Sequence, residues 1–350
     1  MDRKRILLSL LLVAIVVLLA WQFHHSPEWR QFSWERVWTA TQQAEGWYIV
    51  GSVVLILASY VIRTWRWQAL MSPSGGFAPI LKGTVVGFTS TAFLGRAGEL
   101  VRPYYIARKH GTVLAPQLSV WVMERVFDMA GVVLVVGLVL GLDPAVKELT
   151  RSGGYQEALQ RAGYIISAAI AGLVLLLYLF HRHAPGWLAW LKKRQQRKPW
   201  EFRRRYTHFL ETLAQGLNGL QRGRTLLFAI VLTVLLWVDV SGSIWMVVKA
   251  YPDMLPQFGL GAGVLLMGLT AVGSVAQLPA VGGGFQVLTI FGLTKIFGAD
   301  SAAATSAALI IWLVCFYAIA PFGVVIGAHE GVSWREIETE SLDAEVAEEG

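Results

Sequence analysis

Cysteine is almost missing: Cys315 stands alone in 350 residues, which excludes an internal disulfide framework and any cysteine-based metal cluster. The seven histidines are scattered, with His181 and His183 beside a basic loop, and no spacing resembles a zinc motif. P-loop, G-x-S-x-G and H-E-x-x-H motifs are absent. Charged residues make up only 15% of the chain, against roughly a quarter in soluble domains, and no polar stretch is longer than a loop. An ordinary cytosolic catalytic module is therefore excluded, and neither a metal nor a cofactor is expected.

What is present is apolar. Hydrophobic residues reach 55% and mean hydropathy is +0.52, with several runs close to the ~20 residues a bilayer needs. The fold class expected is an all-α polytopic membrane protein, with spans near 6–22, 47–70, 112–142, 161–181, 225–250 and 302–328. The start, MDRKRILLSLLLVAIVVLLAWQ, has the basic and apolar parts of a signal peptide but no small-residue cleavage site, so it is taken as a retained span, with cleavage the alternative.

Two apolar segments are interrupted, Gly87 to Arg102 (GFTSTAFLGRAGELVR) and Gly273 to Gln286 (GSVAQLPAVGGGFQ). Broken backbone at membrane depth is tolerable only where protein or a polar cavity satisfies it, and paired breaks in two halves are a pointer to a transport site. Lys and Arg counting puts the N-terminus and the 182–224 link, with eleven basic residues against Glu201 and Glu211, in the cytoplasm. The 23–46 and 143–160 links face outward. The accounting closes if 80–108 is a re-entrant hairpin from the cytoplasmic side and 258–298 one from the outer side, an inverted-repeat-like layout. Both termini are then cytoplasmic and the protein sits in the inner (cytoplasmic) membrane; eight complete spans are the alternative.

The 192–224 loop combines a basic block with helical periodicity and suits an anionic cytoplasmic leaflet better than nucleic acid, which is not expected as a partner. The segment from Pro27 to Trp47, with Trp29, Trp34, Trp38 and Trp47, suits an interfacial helix. One transmembrane domain is expected over 1–330, followed by an acidic, disordered tail over 331–350. Homo-oligomerisation is left open.

Ionisable residues inside spans are costly and default to function. Arg96, Glu99 and Arg102 are spaced by three; two guanidiniums about a carboxylate could hold a phosphate, or could staple the hairpin. Glu124 and Asp128 share a helical face beside Arg125 and suit coupling or an interhelical ion-pair network equally. Asp239 is a lone mid-span acid with the same two roles open, and Lys295 suits the outer interface. At the second break, Gly282, Gly283, Gly284 and Gln286 suit a restarting helix that aims N–H groups at a headgroup, or a plain turn.

At GRAGELVRPYYIARKHG, VWVMERVFDMAG and LPAVGGGFQVLTIFGLTKIFG the chain resembles the lysylphosphatidylglycerol synthase transmembrane family, also called flippase-like integral membrane proteins. Gly95, Arg96, Gly98 and Glu99 match its first block, Glu124, Arg125 and Asp128 its second, and Gly282 with Gly283 its third. Leu94 replaces a usual Pro, and Gln286 lies near a common Glu. In the namesakes the membrane part, associated with moving lipid between leaflets, is joined to an aminoacyl-transferase domain. The resemblance implies a stand-alone flippase-like protein, with the lipid left open among phospholipid, lipid-phosphate and glycolipid classes. The expectation is a lipid translocator with Arg96, Arg102 and Arg125 on phosphate. An intramembrane lipid-modifying enzyme using Glu124 or Asp128 as base, and a non-transporting accessory subunit working through the basic loop, are the alternatives.

Overall fold

In the computed structural model, the residues described are 33–71, 76–112, 114–161, 223–252, 259–278 and 282–330, with scattered positions between 163 and 186. The expected first span, most of the 161–181 span, the basic loop and the acidic tail lie outside them. The described chain is helical: α1 Trp34–Gln42, α2 Gly46–Leu70, α3 Phe77–Leu94, α4 Val101–His110, α5 Leu114–Leu142, α6 Pro144–Ser152 and α7 Gly223–Lys249 are followed by α8 Leu260–Gly273, α9 Gly284–Phe291, α10 Ser301–Trp312 and α11 Ala320–His329. Among the described residues, five segments are long and apolar enough to cross a membrane: 46–70, 77–110, 114–142, 223–249 and 301–329. The second of these folds back on itself.

The longest helix pairing is α2 against α7, made close by hydroxyl residues. Ser52 and Ser243 bond across the interface at 2.8 Å, the small-residue contact that holds membrane helices together where apolar burial offers little. Arg66, in the last turn but one of α2, is carried into the interior by this packing.

The first hairpin joins α3 to α4 through a 3-10 turn, Gly95–Leu100. Gly95 has φ +65°, a conformation open to glycine, and it stops α3. Gly87 sits against Cβ of Arg102 and Gly98 against the Ser90 carbonyl, where an added Cβ would collide. The chain break therefore lies at Gly95, eight residues beyond Gly87, and Gly87 serves arm-to-arm contact within a continuous helix. Arg108, Lys109 and His110 close α4, complementing its carbonyl end before left-handed Gly111.

The second hairpin joins α8 to α9 through a 3-10 turn at Ser274–Ala276 and a two-residue antiparallel pairing, Gln277 with Gly283 and Leu278 with Gly282. Gly273 and Gly284 face each other so closely that each leaves no room for a Cβ on the other. A π-helical turn, Gly292–Ile296, ends the returning arm.

The 301–329 span relates the two hairpins. Its start is tied to α1 by the Arg36–Asp300 pair at 3.0 Å and a Thr41–Ser306 bond, and α10 runs along α9. Its end lies along α3: Tyr317 donates to the Ala92 carbonyl near the tip, Gly323 meets Thr89, and Glu330 pairs with Lys82 (2.6 Å) and Lys109 at the mouth. The mouths of the two hairpins thus lie at opposite ends of one span. Tyr251, which follows α7, and Asp143, which caps α6, belong to the end where the second hairpin opens, through contacts with Ser306 and Gly261. Among the described residues, the two links assigned outward by charge counting, 33–46 and 143–160, fall at one end, and Lys82 and Lys109 at the other.

Candidate functional site

Charged side chains converge where the tips of the two hairpins meet. Arg96, on the first tip, donates to the backbone carbonyl of Ser274 on the second at 2.8 Å and to Glu99 at 2.7 Å. The 3-10 turn repeats every three residues, so Arg96 and Glu99 eclipse one another. Arg102 belongs to the α-helix that follows and is rotated away.

Arg102 points inward. Its Nη1 contacts Glu124 at 2.7 Å, its Nη2 donates to the Arg63 carbonyl at 3.2 Å, and its guanidinium lies 4.1 Å from the Trp67 ring centroid. Glu124 is also reached by Arg66 at 3.3 Å, and Arg66 extends to Asp128 at 2.8 Å and to the Thr233 hydroxyl at 3.1 Å. Glu124 and Arg66 are 0% exposed. This inner set ties α2, α4, α5 and α7 together with nearly every polar arm occupied, so for Glu124 the ion-pair network is the geometry observed. Burying charge is costly unless partners of this quality compensate it.

An outer set remains accessible. Arg125 is 30% exposed and bridges Asp128 at 3.1 Å and Glu99 at 3.5 Å; Arg96 is 48% exposed. The expected clamp of Arg96 and Arg102 about Glu99 is corrected accordingly: the guanidiniums flanking Glu99 are Arg96 and Arg125. Arg63 also faces this region, with a long 3.8 Å pair to Asp128 and its guanidinium 4.9 Å from the Phe88 ring centroid. Asp239 on α7 lies within Coulombic reach of Arg63. Five guanidiniums meet four carboxylates, an excess of one positive charge.

The second tip departs from expectation in a similar way. Gln286 accepts a hydrogen bond from Gly283 N at 2.7 Å, closing the donor that was expected to face a headgroup. Gly282 is in the short strand pairing, and Gly284 packs on Gly273 and Ala276. The glycines build the turn and the close crossing, and what the second tip offers the first is the Ser274 carbonyl.

Arg63 and Arg66 went unrecognised in the sequence. They stand near the end of an apolar run, where basic residues ordinarily mark a cytoplasmic flank. Their three-residue spacing, the same as Arg96 and Glu99, was the available signal. Thr233 and Ser274 carry no such mark.

Helical spans, two hairpins meeting tip to tip and a buried arginine–carboxylate network define an all-α polytopic membrane protein. The chain belongs to the family described as the lysylphosphatidylglycerol synthase TM region, whose model matches residues 6–323, and is thereby related to lipid modification or transport. No curated protein and no solved structure matches it.

Proposed function

We propose that the protein translocates a lipid with an anionic or zwitterionic headgroup between leaflets, the headgroup passing the junction of the two tips while its tails stay in the bilayer. The observation that carries this reading is the meeting of two oppositely opening hairpins at Arg96 and Ser274, beside an excess of one positive charge. A phosphate displacing Glu99 from Arg96 and Arg125 would gain bidentate charge-assisted bonds in a low-dielectric setting. The outer arginines make the exchange; the inner Arg66–Glu124–Arg102 set holds the frame.

The end bearing Lys82, Lys109 and Glu330 is the cytoplasmic one in this reading, with both hairpins re-entrant. Translocation is favoured over general-base chemistry at Glu124 or Asp128 because both carboxylates are held by arginines. The test is reconstitution into vesicles with acyl-labelled fluorescent phosphatidylglycerol and dithionite quenching of the outer leaflet. Wild-type protein exposes the inner-leaflet pool and Arg96→Ala with Arg125→Ala does not. A pool that stays protected with wild-type protein, for phosphatidylglycerol and phosphatidylethanolamine alike, refutes the proposal.

A further inference from the structure

The open end of the first hairpin repeats the arrangement found at its tip. At the tip, Glu99 takes one cation on each carboxylate oxygen, Arg96 on Oε1 at 2.7 Å and Arg125 on Oε2 at 3.5 Å. At the mouth Glu330, the residue that caps α11, does the same, with Lys82 on Oε1 at 2.6 Å and Lys109 on Oε2. Lys82 lies in the second turn of α3 and Lys109 in the last turn of α4, so each arm of the hairpin supplies one ammonium. The lysine side chains are 48% and 41% exposed against 15% for Glu330, which leaves both ammoniums open to a second anion. Lys109 Nζ also stands 5.9 Å from the Tyr105 ring centroid, a contact that helps hold it in place. Two positive charges face one negative charge here, and hydrogen bonds from Lys109 and Lys82 keep the Glu330 carboxyl down at about 2. Such a place favours anions.

Position selects the anion. Lysines at the ends of spans reach the level at which lipid phosphates lie, and basic pockets between spans on the cytoplasmic side take lipid headgroups. A phosphodiester carries the same single charge as a carboxylate and likewise presents two free oxygens, one for each ammonium. Resting on the translocator reading, which makes this end cytoplasmic, we infer that Lys82 and Lys109 form a loading site for the phosphodiester of an anionic lipid, with Glu330 as the built-in anion that the lipid displaces. Exchange of one single charge for another leaves the local charge unchanged, and it frees the end of α11 from both arms of the hairpin. The first hairpin then carries two stations for one kind of ligand, one at its mouth and one at its tip.

Short-chain dihexanoyl-phosphatidylglycerol, added to the full-length protein in uncharged micelles at pH 7, tests this. Affinity is read by calorimetry, and the mouth is read separately from the carbon-13 signal of the Glu330 carboxyl in glutamate-labelled protein, identified by its loss in Glu330→Gln. The Glu330 signal is expected to shift saturably as lipid is added. Glu330→Gln is expected to bind the lipid roughly tenfold more tightly, because the competing charge-assisted contacts are gone, a gain that misfolding cannot produce. Lys82→Gln and Lys109→Gln together are expected to weaken binding by at least roughly the same factor. Inorganic phosphate at equal concentration is expected to leave the Glu330 signal in place; a shift equal to that caused by the lipid overturns the assignment to a lipid. A Glu330 signal unmoved at saturating lipid, or Glu330→Gln affinity within about twofold of wild type, overturns the inference, and lipid movement in vesicles then leaves the translocator reading standing. A responding Glu330 without lipid movement overturns the translocator reading and leaves a lipid-binding mouth.

Discussion

Replacing Glu124 by Gln is the sharpest perturbation of the frame. The carboxylate receives Arg102 at 2.7 Å on one oxygen and Arg66 at 3.3 Å on the other, fully out of solvent. Removing one partner of a buried ion pair costs about 3–5 kcal/mol, because the opposite charge is left bare. Here neither arginine is left wholly bare: Arg66 keeps Asp128 and Thr233, and Arg102 keeps the Arg63 carbonyl and the Trp67 face. The low end applies, and Glu124→Gln is expected to cost about 3 kcal/mol. Arg102→Met should cost a similar amount, and the double variant little more than either, since each single change already breaks the pair; a coupling of about 2–3 kcal/mol results. The assay is reversible SDS unfolding in mixed micelles followed by circular dichroism. Two single variants within about 0.5 kcal/mol of wild type, or strict additivity in the double, would refute the argument that this pair bears the frame.

Two other predictions concern the first hairpin. Gly98→Ala places a methyl against the Ser90 carbonyl, backbone that cannot yield, and is expected to cost about 3 kcal/mol or more in the same assay, while alanine at Gly137, which has open space, costs little. At the mouth, Lys109 and Lys82 hold the Glu330 carboxyl down at about 2, from an ordinary 4.5. A carboxyl with a lowered folded value stabilises above its ordinary value and loses that contribution as pH falls through the folded one, so the clasp is constant near neutrality and weakens between 4.5 and about 2. A carbon-13 titration of labelled glutamate should show one carboxyl with that low midpoint, and Glu330→Gln should remove it; a midpoint near 4.5 would contradict the clasp.

Much of this layout could be read from the residues. Span positions came from apolar run length, and the four continuous spans described lie within two residues of expectation. The hairpins were legible because glycine and polar residues have no other business inside an apolar run. Among the described residues, those that charge counting assigns to one side share an end: Arg36, Asp143 and Asp300 gather at one, Lys82 and Lys109 at the other. Side-chain direction was not legible. Arg102 continues the spacing of Arg96 and Glu99, but a change from 3-10 to α geometry between residues 100 and 101 turns it into the core. Gln286 caps its own helix, a local choice that only the turn of the preceding glycines reveals. Arg63 and Arg66 pair with residues at least 58 positions away, and no local pattern announces that.

Passage of a headgroup between the hairpin tips requires those tips to part, so tethering them should block it. In a Cys315→Ala background, Ala97→Cys and Val275→Cys place thiols beside Arg96 and Ser274, at positions that are both exposed. A cleavable thiol-reactive linker joining them in reconstituted vesicles is expected to stop movement of labelled phosphatidylglycerol, and cleaving the linker to restore it. Translocation at the untethered rate with the tips fully joined would contradict the account.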